Sequence, residues 1–303
     1  MVDIILHLLI IAAIYAILSI SLNIMTGTTG LFNLGLAAFY GIGAYSSALL
    51  AKAGVPFPLA LLGGILIPSA IAFVIGLPTL QLVGDYLAVV TMGLGEITRS
   101  VFKNWVSLTG GYMGLRKIPK ASLFGFDLDG RMEYLIFSLV ILVVVYFFVE
   151  RLLKAPFGRV LRAIREDEMA AQALGKNVFR FKMWALLIGT GIAGLAGALF
   201  AHYINVISPA DFVMWLTFFI FLVIMFGGLG NNLGAIVATV IFVLGREALR
   251  FIGLPPSVSA PLQQLIFGLL LIFATIYFPK GLIQEKRQLV KPDPEQERTK
   301  SHA

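Results

Sequence analysis

The sequence predicts an all-α fold, a polytopic membrane bundle of roughly eight to ten spanning helices. Three observations predict it. Of 303 residues, 59% are hydrophobic and 13% are charged, about half the charged share of a soluble domain. Mean hydropathy is +0.93. The apolar residues also fall into runs of about 20, the length a helix needs to cross a bilayer, with short polar breaks between them. There is no cysteine, which excludes disulfides and a thiolate metal site. Met1 is followed by Asp3 rather than a basic stretch, and no small-residue cleavage site stands out, so the first span is expected to be retained.

The expected spans lie near 4–25, 31–52, 58–80, 85–106, 132–150, 183–205, 211–232, 234–252 and 262–279. Glycines 30, 35, 41 and 43 interrupt the second, which could be a half-helix or a re-entrant piece. Polar residues interrupt the fourth. Small residues four apart let helices approach closely in lipid, and Gly189, Ala193, Gly197 and Ala201 form such a ladder. Residues 1–283 thus read as one transmembrane domain and residues 284–303, rich in Lys, Pro, Glu and Gln, as a disordered tail.

Orientation follows from Lys and Arg. The segment 151–182 holds Arg151, Lys154, Arg159, Arg162, Arg165, Lys176, Arg180 and Lys182. The tail adds Lys280, Lys286, Arg287, Lys291, Arg298 and Lys300. Both segments, and with them the C-terminus, are expected on the cytoplasmic side of the membrane. The loop from Thr109 to Arg131 and the N-terminus then lie outside. The net charge of +7 belongs to these loops rather than to a nucleic-acid surface.

The long polar stretch GRVLRAIREDEMAAQALG, Gly158 to Gly175, is patterned as surface helix. Pro156 and Gly158 end the preceding helix. Val160, Leu161 and Ile164 then recur at helical spacing, opposite Arg159, Arg162 and Arg165. Glu166, Asp167 and Glu168 suit a helix N-terminus, with Asp167 as the cap. Met169, Ala170, Ala173 and Leu174 make an apolar stripe. Gly175 sits where a left-handed C-terminal glycine belongs, and Asn177 where the next helix is capped. A helix lying in the headgroup layer is one reading, and the arginines suit it. Such helices bury large side chains, however. Ala170, Ala171 and Ala173 offer a shallow surface better fitted to a protein groove.

Here the chain resembles a family. EDEMAAQALG is similar to the "EAA" loop of ABC importer permeases, in which two alanines precede a glycine by four residues. Ala170, Ala171 and Gly175 match that pattern, while the glutamate of the motif falls on Met169, one residue after Glu168. GDYLAVVTMGLGEITRSVFKNWVSLTGG from Gly84, FGGLGNNLGA from Phe226, FPKGLI from Phe278 and SLNIMTGTTGLFNLGLAAFYGIGAY from Ser21 resemble the LivM-type permease of branched-chain amino-acid importers. Tyr112-Met113 departs from the family's pattern. The resemblance implies a second permease subunit, two cytoplasmic ATPase subunits that hold ATP and magnesium, and a solute-binding protein outside. It implies that residues 165–171 and 173–175 (Arg165, Glu166, Asp167, Glu168, Met169, Ala170, Ala171, Ala173, Leu174, Gly175) carry the coupling to the ATPase. No cofactor is expected on this chain. A stand-alone secondary transporter or channel, or an importer of urea or another small amide, is the alternative.

Polar residues within the spans are the remaining candidates. Glu96 and Arg99 lie three apart, so they either neutralise each other or line the translocation path. Asn23 and Asn33 are further path candidates, and with Asn205 are expected to bond across helices. His202 is expected at the outer interface and Lys103 to snorkel there. ALGKN around Gly175 looks like the end of a phosphate-binding loop, but Ala170 replaces its earlier glycine and no Ser or Thr follows the lysine. No catalytic cluster is present, so the chain reads as a permease and not as an enzyme.

Overall fold

The computed structural model describes residues 2–82, 85–123, 126–127 and 130–250, together with Leu262, Leu265, Ile266, Gly268, Leu269, Ile272 and Phe273. The side chains of Val2, Asp85, Leu123, Phe126, Asp127 and residues 246–250 are outside that description. So are most of the ninth expected span and the whole tail 284–303.

The first helix, α1 (Val2–Leu22), passes into a π-helical turn, Asn23–Thr28, and the chain then runs without regular structure to α2 (Leu36–Lys52). The sequence predicted helix from residue 31. The left-handed Gly30 (φ 76°) diverts the chain, and side chains support the backbone from Leu34 into the first turn of α2. Asn33 Oδ1 accepts from Gly35 N at 2.8 Å, Thr91 Oγ1 from Leu34 N at 3.0 Å, and Thr217 Oγ1 from Ala37 N at 3.1 Å. Irregular backbone inside a membrane bundle needs such partners where no water can supply them.

α3 (Phe57–Thr79) contains Pro68 and Pro78, and α4 (Asp85–Asn104) is continuous despite its polar residues. A loop region holds α5 (Val106–Thr109) and a 3₁₀ turn at Gly111–Met113. It also holds β1 (Leu115–Arg116), β2 (Ser122–Leu123) and β3 (Phe126–Asp127). Strands β2 and β3 pair with each other, while β1 pairs antiparallel with β4 (Val206–Ile207), placing Leu115 opposite Ile207. α6 (Arg131–Lys154) leads into α7 (Pro156–Glu166) and α8 (Glu168–Ala173) at the far end of the bundle. α9 (Val178–Ile204), α10 (Met214–Gly227) and α11 (Asn232–Arg250) complete the described helices. Among the described residues, five helices are long and apolar enough to cross a membrane, with mean hydropathy between 1.8 and 2.6.

α9 is the axis of the bundle and packs against α1, α2 and α3. Its small-residue ladder explains how. A Cβ on Gly197 would lie 1.9 Å from the carbonyl oxygen of Tyr40 in α2, and one on Gly189 2.5 Å from Met25 Cγ. Gly194 is in the same position against Gly43 and Gly64, where helices α2, α3 and α9 meet backbone to backbone. Pro68 cannot donate to the carbonyl of Gly64 four residues earlier, and that carbonyl is the one Gly194 faces. Buried hydroxyls add cross-links, from Ser21 to Gly189 O at 2.7 Å and between Ser19 and Thr239 at 2.9 Å.

Candidate functional site

The basic end of the molecule is built from α6, α7, α8 and the start of α9. Pro156 opens α7, where its missing amide costs nothing. Gly158 lets α7 fold back onto α6, since a Cβ there would lie 2.1 Å from Leu153 O. Leu161 and Ile164 turn inward as their spacing predicts. Asp167 breaks the helix in extended geometry (φ −154°, ψ 107°), and its side chain caps α8 by accepting from Ala170 N at 2.9 Å. Gly175 is left-handed (φ 75°), and Lys176 N donates back to Ala171 O at 3.2 Å, closing α8. Asn177 Oδ1 caps α9 by accepting from Arg180 N at 3.1 Å. All three expected boundary residues therefore sit where the sequence placed them.

The predicted apolar stripe faces outward. Met169 is 75% exposed and Leu174 79%, with Ala170, Ala173 and Gly175 exposed beside them. Ala171 points the other way and packs with Ile164 and Val178. Glu168, the acid one residue early, has a partner: its carboxylate accepts from Lys182 Nζ at 2.5 Å. Lys182 itself is only 8% exposed. The pair ties α8 to the first turns of α9.

Beneath this hairpin two irregular segments meet. In the π-helical turn, three threonine hydroxyls satisfy local carbonyls: Thr26 to Leu31 O at 2.8 Å, Thr28 to Asn23 O at 3.3 Å and Thr29 to Ile24 O at 2.9 Å. The carbonyl of Gly27 accepts from Arg165 Nη1. Asn23 donates to Asn232 Oδ1 at 2.9 Å and accepts from Gly230 N at 2.8 Å. Asn232 donates onward to Glu150 at 3.3 Å, and Glu150 pairs with Lys154 at 3.2 Å. Asn23 thus bonds across helices as expected. Asn232 and Glu150 were not among the sequence candidates. Their signals were an Asn-Asn pair after a Gly-rich turn and an acid at the end of an apolar helix.

Asn33 is buried, but its Oδ1 caps Gly35 locally and its amide nitrogen reaches Met25 Sδ at 3.5 Å, still within the segment after α1. It lines a narrow, mainly apolar cleft between α2, α3 and α4 with Thr91, Leu87, Leu94 and Leu186. Glu96 and Arg99 form the predicted pair at 3.2 Å on α4, the Glu96 side chain 50% exposed and that of Arg99 26%. The structure does not bring this pair together with Asn23 or with the α7–α8 hairpin. Lys103 lies over the Tyr112 ring, 5.8 Å from its centre.

His202 lies in the last turn of α9 and is 2% exposed, because the loop before α6 folds over the end of that helix. Its ring bonds to Ser47 Oγ at 3.0 Å and Pro119 O at 2.8 Å and stands edge-on to Phe57. Asn205 likewise serves that loop: it closes α9 in left-handed geometry (φ 59°) and donates to Ile118 O at 3.1 Å. Among the described residues, no three His, Cys, Asp or Glu side chains are grouped as metal ligands would be.

Comparison with known proteins agrees with this architecture. Residues 4–275 match the family model of the branched-chain amino acid transport system permease component. The chain is 36% identical to the high-affinity branched-chain amino acid transport system permease protein LivM of Salmonella typhimurium, over 92% of this chain and 69% of that protein. The LivM of Escherichia coli gives the same identity and coverage. The probable branched-chain amino acid transport permease protein LivM of Methanocaldococcus jannaschii is 29% identical over 96% of both chains. No solved structure matches.

Proposed function

The chain belongs to the branched-chain amino acid transport system permease family, and from that premise we propose that it is a membrane-spanning permease subunit of an ABC importer for branched-chain amino acids. The observation that carries the coupling part of this reading is the α7–α8 hairpin. It presents Met169, Ala170, Ala173 and Leu174 outward on a short helix fixed at both ends by Asp167 and Gly175. An exposed apolar ridge of this kind, rimmed by charge, is a surface for another protein. Its small alanines admit a close fit, and Met169 and Leu174 supply side chains large enough to fill a groove.

In this reading the ridge lies in the cytoplasm and seats on an ATPase subunit that holds ATP and magnesium. A second permease subunit, a second ATPase and an extracytoplasmic solute-binding protein complete the assembly. Closure of the ATPase pair on ATP displaces the hairpin, and the spans tilt between inward-open and outward-open states. The solute crosses the bilayer of a bacterial inner membrane along a path lined by permease helices.

The test is the reconstituted assembly in vesicles with ATP inside or outside as orientation requires. Ala170→Asp places a charge at the centre of the ridge, and replacing Gly175 with Val forces a β-branched residue into left-handed backbone. Both variants are expected to insert normally but to lose ATP-driven leucine uptake. Unchanged uptake in both would show that the ridge is not the docking surface.

A further inference from the structure

Arg165 is grouped by sequence with the ridge, but its guanidinium points away from it, to the carbonyl of Gly27 in the π-helical turn. Its stem is in the same place: a Cβ on Gly30 would lie 3.3 Å from Arg165 Cγ and 3.6 Å from its Cα. The backbone of α7 therefore rests on the left-handed glycine that ends the turn. We infer that Arg165 is a positioning residue that ties the cytoplasmic hairpin to the unwound end of α1, so that displacement of the hairpin moves Asn23–Thr28. This rests on the reading of the chain as an ATP-coupled permease.

Three features support the assignment. First, the bond joins a cation to the carbonyl end of α1, where the helix dipole and an unmet carbonyl both favour it. Arginine can do this at full reach while its aliphatic stem packs on Gly30. Second, the turn is a separately held unit. Its threonines satisfy nearby carbonyls, and Asn23 anchors its start to Gly230 in the loop before α11 and to Asn232 at the first residue of α11. Gly27 is in close contact with the same loop, since a Cβ there would lie 2.7 Å from Gly230 N. A pull on Gly27 thus reaches both α1 and α11. Third, the hairpin is rigid across its bend. The Ile164, Ala171 and Val178 cluster and the Glu168–Lys182 pair fix α8 to α7 and α9. A push on the ridge can leave the hairpin through Lys182 into α9, through Gly158 and Arg162 onto Leu153 of α6, and through Arg165 into the turn. π-helical turns in longer helices are common at sites that change conformation.

The chain has no cysteine, which makes single-site labelling clean. Thr28→Cys places a thiol in the turn at a position that is 1% exposed. In the complete assembly in vesicles, its rate of reaction with a maleimide is expected to change by threefold or more between nucleotide-free and ATP-trapped states. In the background of Arg165→Met, which keeps the stem and removes the charge, that ATP-dependent change is expected to disappear. Leucine taken up per ATP hydrolysed should fall at least tenfold, with Arg165→Lys intermediate. Co-purification with the ATPase separates this inference from the docking proposal: loss of assembly in Ala170→Asp tests docking, whereas Arg165→Met acts on coupling within an assembled complex. If Arg165→Met does not assemble, the labelling in the Arg165 background alone decides. A Thr28→Cys thiol that reacts at the same rate with and without ATP overturns the inference, and so does an unchanged ratio of uptake to hydrolysis in Arg165→Met.

Discussion

Gly197→Ala adds one methyl group at the tightest contact between α2 and α9. Its Cβ would lie 1.9 Å from Tyr40 O, with Ala44 N and Tyr40 C at 2.9 Å. Real Cβ contacts essentially never fall below 3.0 Å, so the two backbones must separate by at least 3.0 − 1.9 = 1.1 Å. The obstacle is backbone on both sides, and no side chain can swing aside. A gap of about 1 Å forfeits up to about half of each dispersion contact along that face, and overpacking of this kind costs about 3 kcal/mol at its upper end. Alanine returns about 1 kcal/mol of helix propensity, leaving a net loss near 2 kcal/mol. Gly93→Ala in α4 is the control, because nothing stands within 4 Å of its Cβ position. It keeps only the propensity gain of about 1 kcal/mol. Thermal unfolding of the purified chain in lipid nanodiscs, followed by tryptophan fluorescence, should place Gly197→Ala about 4–8 °C below the parent and Gly93→Ala slightly above it. A Gly197→Ala melting point equal to that of Gly93→Ala would refute the packing argument.

Two further outcomes follow from the side chains around the spans. His202→Ala should cost about 2–4 kcal/mol in the same melts, because it empties a packed site beside Phe57 and leaves the buried Ser47 hydroxyl without its partner; a loss below about 0.5 kcal/mol would mean that the ring does not hold the loop over α9. Glu96→Gln should leave insertion and melting nearly unchanged, since its side chain is half exposed and accessible pairs contribute about 0–1 kcal/mol, yet lower uptake severalfold in the assembly, and equal uptake at equal membrane levels would assign the pair to charge neutralisation alone.

The sequence was most legible where local chemistry decides. Asp167, Gly175 and Asn177 each fix a helix end through their own backbone geometry or nearest amides, so they could be placed without knowing the fold. The ladder through Gly197 was legible for the same reason: a four-residue repeat of small side chains has one meaning in lipid. What depends on distant parts of the chain was not legible. How the backbone from Leu34 to Ala37 is held depends on hydroxyls of α4 and α10. The partner of Glu168 lies fourteen residues on, across a turn. His202 reads as interfacial because its own helix ends there, and only the loop 115–123 shows why it is dry. Arg165 looks like part of a charged helix face, and nothing local reveals that Gly27 is within its reach.

The stretch from Gly30 into the first turn of α2 has an implication for how the protein is made. The amide of Leu34 finds its acceptor in a threonine 57 positions later, and that of Ala37 in one 180 positions later. In a growing polypeptide neither hydroxyl yet exists when the second span leaves the ribosome. Those two amides therefore gain these acceptors only once α4 and then α10 have been made.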